Sequence, residues 1–267
     1  MFGAVIGDIV GSRFEFNNIK TKVFTLFDAN CTYTDDSVLT IAVAKAILAS
    51  RSDYETLSDM AISSMRTLGR KYDTKSWGRN FAKWLYSNDP EPYYSYGNGA
   101  AMRVSPAGLA AETIEEARFL SREVTRVTHN HPEGIKGAEA LTVAIFMAKT
   151  GECLEEIGKA ISERYYDLNF TLDGIRDGYN FQVSCQETVP QALKAFLEST
   201  GFEDAIRNAV SIGGDSDTIA AIAGAVAGVY YGVPKDLADK AATYLPEPLI
   251  KVIDDFEKAF PLIKLSS

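Results

Sequence analysis

The chain has 267 residues, with 27 basic against 36 acidic side chains, and a formal net charge of −9 argues against a nucleic-acid backbone as its main partner. Hydrophobic residues make up 46% and charged residues 24%, which excludes a disordered, collagenous or coiled-coil chain and allows one large core. Cys31, Cys153 and Cys185 form no C-x-x-C spacing and read as reduced thiols, neither a disulfide frame nor a zinc site.

In chain order, the first segment repeats Gly3, Gly7 and Gly11 at every fourth position, as a helix packed tightly in the core would. It lacks G-x-G-x-x-G spacing and a preceding strand, so it is not a dinucleotide fingerprint. It also lacks a basic leader and carries Asp8, so no signal peptide is expected. Glu15 follows at the same step, in a loop-like stretch with Ser12 and Asn17. Thr34-Asp35-Asp36-Ser37 then stands directly before an apolar segment, 38–48. An amphipathic stripe follows at Tyr54, Leu57, Ala61, Met65 and Leu68.

Residues 86–108 read as irregular and hold Tyr93, Tyr94, Tyr96 and the run Gly97-Asn98-Gly99-Ala100-Ala101-Met102-Arg103. Thr113 with Glu116 is a capping-box signature opening the stripe Ile114, Ala117, Leu120, Val124, Val127. Residues 129–136, with His129 and His131-Pro132, read as a loop before the apolar segment 137–148. A stripe at Leu154, Ile157, Ile161 and Tyr165 precedes a second irregular stretch, 166–190, with Tyr179 and Phe181. Gly213-Gly214-Asp215-Ser216-Asp217-Thr218 stands before the apolar run 219–231, thirteen residues and too short to cross a bilayer. Leu249, Ile250, Ile253, Phe256 and Phe260 form the last stripe. No segment shows two-residue alternation with β-branched enrichment. The expected fold is all-α, one domain over 1–267, with apolar central helices surrounded by amphipathic ones, and the expected compartment is the cytoplasm, with no membrane partner.

The two acidic boxes carry the chemistry. One box alone reads as helix capping, for which Ser, Thr and Asp are the preferred residues. Capping needs one oxygen, whereas each box offers two carboxylates and hydroxyls. If both apolar helices are central, four carboxylates meet, and they must take up protons or be neutralised by cations. A set of hard oxygen donors selects Mg²⁺, Ca²⁺ or Mn²⁺, and two ions about 3.5–4 Å apart form a known hydrolytic arrangement. Beside such ions Glu15 would orient or deprotonate a water. The Gly-Asn-Gly turn would offer backbone N–H groups to a pyrophosphate, although it is not a Walker loop. His131-Pro132 reads either as a helix start or as a ligand contact. Tyr93, Tyr94, Tyr96, Phe14, Phe16, Tyr179 and Phe181 read mainly as core bulk, with base stacking as the other use.

Taken together, Gly7-Asp8-x-x-Gly11, Thr34-Asp35-Asp36-Ser37, the 97–103 run, His131-Pro132 and Gly213-Gly214-Asp215-Ser216-Asp217-Thr218, in that order, resemble the ADP-ribosylglycohydrolase family from Gly3 to about Gly232. The resemblance implies an all-α fold with two divalent ions, Mg²⁺ or Mn²⁺, held by Thr34, Asp35, Asp36, Asp215, Asp217 and Thr218. It implies a substrate-binding segment comprising Gly97, Asn98, Gly99, Ala100, Met102 and His131, and Glu15 and Asp36 as catalytic residues. The implied reaction is hydrolysis at C1″ of ADP-ribose attached to a protein side chain or a small acceptor. A non-catalytic ADP-ribose binder and a dimetal phosphohydrolase are the rival readings.

Overall fold

A computed structural model describes residues 1–51, 53–74 and 76–262; Ser52, Lys75 and the last five positions of the expected 1–267 domain lie outside the described residues. Among the described residues there are fourteen α-helices and no strand beyond an isolated bridge pairing Gly97 with Ser184. The fold is all-α.

The glycine-stepped segment is α1 (Phe2–Ser12), and the first apolar segment is α2 (Asp35–Ser50), whose N-cap Thr34 accepts from the Asp36 amide. A 3₁₀ turn, Tyr54–Thr56, leads into α3 (Leu57–Lys71), which buries Leu57, Ala61, Met65 and Leu68. α4 (Arg79–Tyr86) follows, and the irregular stretch expected at 86–108 ends instead in α5 (Ser105–Ala110). α6 (Ile114–Thr125) is capped by Thr113, which accepts from the Glu116 amide at 3.1 Å. The Glu116 carboxylate takes the Glu112 amide at 2.7 Å, so the expected box closes one residue upstream.

α7 (Pro132–Lys149) begins at the proline, whose fixed φ suits a first helical position, so the loop expected over 129–136 shortens to 129–131. α8 (Leu154–Arg164), α9 (Leu172–Arg176) and α10 (Cys185–Leu197) follow. Both of the last two enter the stretch expected to be irregular: Thr171 caps α9 by accepting the Gly174 amide, and Pro190 costs α10 one backbone donor without ending it. α11 (Phe202–Ser211), α12 (Ser216–Tyr230), α13 (Lys235–Ala242) and α14 (Glu247–Ala259) complete the chain.

α12 is the axis of the core. Every residue from Ser216 to Gly228 is buried, against α1, α7, α10 and α11, as a helix without a polar face requires. Its tightest neighbour is α1, which runs antiparallel to it. A methyl group on Gly3 would stand 2.2 Å from the Gly224 carbonyl oxygen, on Gly7 2.0 Å from that of Ala220, and on Gly11 2.4 Å from that of Ser216. Glycine at these three steps lets the two backbones touch. The antiparallel seam brings the C-terminal end of α1 to the N-terminus of α12. α2 packs on α1 and α12 as well, and its N-terminus reaches the same end of the bundle. No helix of the described residues is long and apolar enough to cross a membrane.

Candidate metal centre and cleft

The acidic boxes converge because both are helix N-termini at that end. Asp35 and Asp36 form the first turn of α2; Asp215 is the N-cap of α12 and Asp217 lies in its first turn. The Thr218 hydroxyl donates to Asp36 Oδ2 at 3.3 Å across 182 residues of sequence. Carboxylate oxygens of Asp8, Asp36 and Asp217 lie within 4.8 Å of one another, as do those of Glu15, Asp215 and Asp217. Gly213 and Gly214, at φ +70° and +78°, make the left-handed turn that aims Asp215 inward.

Asp8 projects from α1 beneath the cluster and is fully buried. It accepts the Thr34 amide at 2.9 Å, the Thr34 hydroxyl at 2.7 Å, the Ser37 amide at 3.1 Å and the Ser37 hydroxyl. It therefore fixes the first turn of α2 and the direction of the Thr34 oxygen. Sequence reading singled out Asp8 only as part of a motif; the signal for its role was its place one turn before Ser12 on a face otherwise made of glycine and aliphatics.

Glu15 arrives on the loop after α1. Asn18 clasps that loop to the turn before α12: its side-chain amide donates to the Gly214 carbonyl at 2.8 Å and accepts the Gly214 amide at 2.8 Å. Lys20 adds bonds of 2.6 Å to the Ile212 and Tyr179 carbonyls. Burial, then the neighbouring Asp217, Asp35 and Asp8 charges, pushes the Glu15 carboxyl up to about 8. Burial likewise raises Asp35 to about 7 and Asp215 to about 6, and lifts Asp36 and Asp217 well above the carboxylate range. These are groups that need protons or cations. Asp36 Oδ1 is buried without a hydrogen-bond partner among the described residues, an orphaned carboxyl oxygen in an all-oxygen setting. That donor set fits hard divalent ions and not zinc or copper.

The cluster forms the floor of a cleft of about 610 Å³, within the range of small-molecule sites. Of the residues expected to bind substrate, Gly97, Asn98, Gly99 and Met102 line it. Ala100 is fully buried beside them, and the Asn98 side chain donates to Asp215 Oδ2 at 2.7 Å.

Two expectations change here. First, the 97–102 turn uses most of its own amides. Gly97 N donates to Ser95 Oγ, Asn98 N to the Val183 carbonyl, and Ala100, Ala101 and Met102 N to the carbonyls of Gly97 and Asn98. A tight 3₁₀ turn leaves few donors for a pyrophosphate. Second, the histidine in the cleft wall is His129. His131 is the N-cap of α7, its Nδ1 accepts the Glu133 amide at 3.0 Å, and its ring sits against Tyr94 and Tyr96; here the helix-start reading accounts for it.

Phe14 is buried, and Tyr93 and Phe181 reach the cleft. Phe16, 85% exposed, stacks on Phe181 with ring centroids 6.0 Å apart. A larger cavity, about 710 Å³, lies at the far ends of α1 and α12. Its charges pair locally, the Met1 amine with Glu257 and Lys149 with the Leu109 and Ala111 carbonyls.

The human ADP-ribosylhydrolase ARH3 is 25% identical over 307 residues, covering 86% of this chain and 84% of that protein. The ADP-ribosylarginine hydrolase Tri1 of Pseudomonas putida (strain GB-1) is 27% identical over 280 residues, covering 91% and 73%. The ADP-ribosyl-[dinitrogen reductase] glycohydrolase of Rhodospirillum rubrum is 27% identical, covering 75% and 69%. A solved structure titled ADP-ribosylglycohydrolase-related protein complex shares the fold, with a TM-score of 0.70 at 23% identity over 96% of this chain and 95% of that one. The family profile described as ADP-ribosylglycohydrolase matches residues 1–262, and the chain belongs to that family.

Proposed function

We propose that the cleft hydrolyses the glycosidic bond joining C1″ of ADP-ribose to a protein side chain or small acceptor, with free ADP-ribose as product. The observation that carries this reading is the meeting of two acidic helix starts, 182 residues apart, around the orphaned Asp36 oxygen. The relatives' names, all of ADP-ribosyl hydrolases, support the same chemistry.

Asp35, Asp36, Asp215 and Asp217, with the Thr34 and Thr218 hydroxyls, would hold two divalent ions, Mg²⁺ or Mn²⁺. Such ions, when bound, supply a fixed orientation for ribose hydroxyls and a more acidic water. Asp8 keeps the Thr34 oxygen turned for that task, as a supporting hydrogen bond does in metal sites. Glu15 stands at the edge of the cluster, its carboxylate grouped with those of Asp215 and Asp217, and burial favours its protonated form, so it is placed to give or take a proton. It moves the proton between water and the leaving group as positive charge develops on the ribose ring, while Asp36 holds the attacking side of the site. Gly97, Asn98, Gly99 and Met102 wall the cleft against the rest of the nucleotide, with His129 where His131 was expected.

The test is incubation with Mg²⁺ and arginine-, serine- and acetyl-linked ADP-ribose conjugates, read by mass spectrometry. Free ADP-ribose from any of them supports the reading, and Glu15→Gln should lower kcat by roughly 10²–10⁴. AMP as product would replace it with phosphohydrolysis, and no product with a binding role.

A further inference from the structure

Arg103 has no exposed surface, and among the described residues no carboxylate pairs with it. Its Nη2 donates to Thr128 Oγ1 at 2.5 Å and, at 3.5 Å, to the Val124 carbonyl, while Nε and Nη1 have no partner. The titratable groups facing it, Tyr93 and Cys185, are both pushed up to about 12 by burial and remain neutral. Arg103 itself, lowered to about 10, stays cationic. An uncompensated buried cation is costly, so what it acts on is informative.

Thr128 links it to the cleft. Thr128 Oγ1 lies 2.7 Å from His129 Nδ1. The opposite ring nitrogen, Nε2, faces the 97–99 turn, 3.3 Å from where a methyl on Gly99 would stand and 3.6 Å from one on Gly97. Burial and the Arg103 charge hold His129 well below its usual value, so the ring is neutral and carries one proton. Guanidinium only donates, so Arg103 occupies a lone pair of Thr128. The contacts of Thr128 Oγ1 are Arg103 Nη2, which brings a proton of its own, and His129 Nδ1, so Nδ1 is the partner left to take the Thr128 proton. The field agrees with this assignment: a cation behind Thr128 favours the lone pair of the imidazole on its side and the N–H on the far side.

We propose that Arg103 is a positioning residue which, through Thr128, holds neutral His129 with its proton on Nε2, so that a donor and not a lone pair faces the 97–99 turn. The inference rests on the reading of the cleft as an ADP-ribose site, and it supplies what the turn lacks. With the amides of Gly97, Asn98, Ala100, Ala101 and Met102 already used, an anionic ligand in an acidic protein needs a side-chain donor at that wall.

Long-range ¹H–¹⁵N correlation spectra of the ligand-free protein read the tautomer directly, and with only two histidines a His131→Gln variant assigns them. The wild type should show a protonated Nε2 and a pyridine-type Nδ1 for His129. Thr128→Val should move the proton toward Nδ1 and weaken ADP-ribose binding about tenfold by calorimetry, the effect of one lost hydrogen bond to a charged group. Thr128→Ser should restore both. His129→Gln, whose amide nitrogen falls near Nε2, should bind more tightly than His129→Asn, whose amide falls near Nδ1. A wild-type His129 protonated on Nδ1 or on both nitrogens, or a Thr128→Val tautomer unchanged from wild type, would overturn the proposal. The spectra need no substrate, so absence of turnover would count against the hydrolase reading and not against this one.

Discussion

Gly7→Ala adds one methyl group at the tightest point of the α1–α12 seam. That carbon would lie 2.0 Å from the Ala220 carbonyl oxygen, 2.3 Å from its carbon and 2.6 Å from the Ala221 nitrogen. All three are backbone atoms, so no side chain can swing aside. Restoring an ordinary 3.4 Å contact requires the helices to part by roughly 1.4 Å, and gaps of 0.5–1 Å already forfeit about a quarter to a half of each dispersion contact. Overpacking a core costs about 1–3 kcal/mol; with two rigid backbones opposed, the upper end applies. For a chain of this size, about 3 kcal/mol lowers Tm by roughly 6–12 °C.

The same displacement separates Asp8 on α1 from Asp217 on α12, so the stabilisation given by Mg²⁺ should shrink along with Tm. Thermal melts with Mg²⁺ and with chelator measure both. Gly201→Ala is the control: its backbone is extended at φ 176°, and nothing lies within 4 Å of the added carbon, so a change under about 1 kcal/mol is expected for a substitution at a helix N-cap. A Gly7→Ala protein melting within 2 °C (about 0.5–1 kcal/mol) of wild type, with its cation response intact, would refute the seam as the element that sets the site.

Two further outcomes follow from the crowded carboxylates. With cations removed, Glu15, Asp35 and Asp215 have folded values of about 8, 7 and 6, above the ~4 of an unfolded chain. The folded state then holds protons that the unfolded state releases, so stability is full below about pH 4 and is lost as pH rises through 6 to 8. Tm in chelator should fall between pH 5 and pH 8 while the Mg²⁺-dependent gain widens, to about 2.7 kcal/mol at a hundredfold excess over Kd; a flat profile in chelator would contradict the clustering. Asp36→Asn keeps the shape and removes one buried carboxyl from the crowded cluster, so the chelated protein should melt no lower, and at high pH higher, while its Mg²⁺ response and turnover collapse, as happens when a functional site is built at a cost in stability. A retained Mg²⁺ shift in that variant would remove Asp36 from the ligand set.

The parts of the molecule legible in the sequence are those where one residue type has one physical use. Three glycines at four-residue steps had to mark a close approach of helices, and acids ahead of segments with no polar face had to bring charge into the interior. The capping of α6 by Thr113 was readable for the same reason. α10 was not, because Pro190 is an interruption in most local contexts and the packing around α10 tolerates it. Asp8 was legible only as a member of the Gly7-Asp8-x-x-Gly11 motif, since its partners Thr34 and Ser37 meet it from 26 and 29 residues away. The exchange of His131 for His129 turns on two positions of loop. A histidine next to proline draws the eye as a ligand, yet the free helix amide beside it makes the stronger local demand.

The distance in sequence between the two acidic helix starts bears on synthesis. A ribosome completes α1 and α2 long before α12, and the pocket floor is not whole until α12 has emerged. Until then Asp8, Asp35 and Asp36 have only half their companions, and the apolar faces of α1 and α7 lack the helix that covers them. Premature termination or proteolysis before Gly213 should therefore yield aggregation-prone fragments with half of the acidic cluster and no Mg²⁺ response.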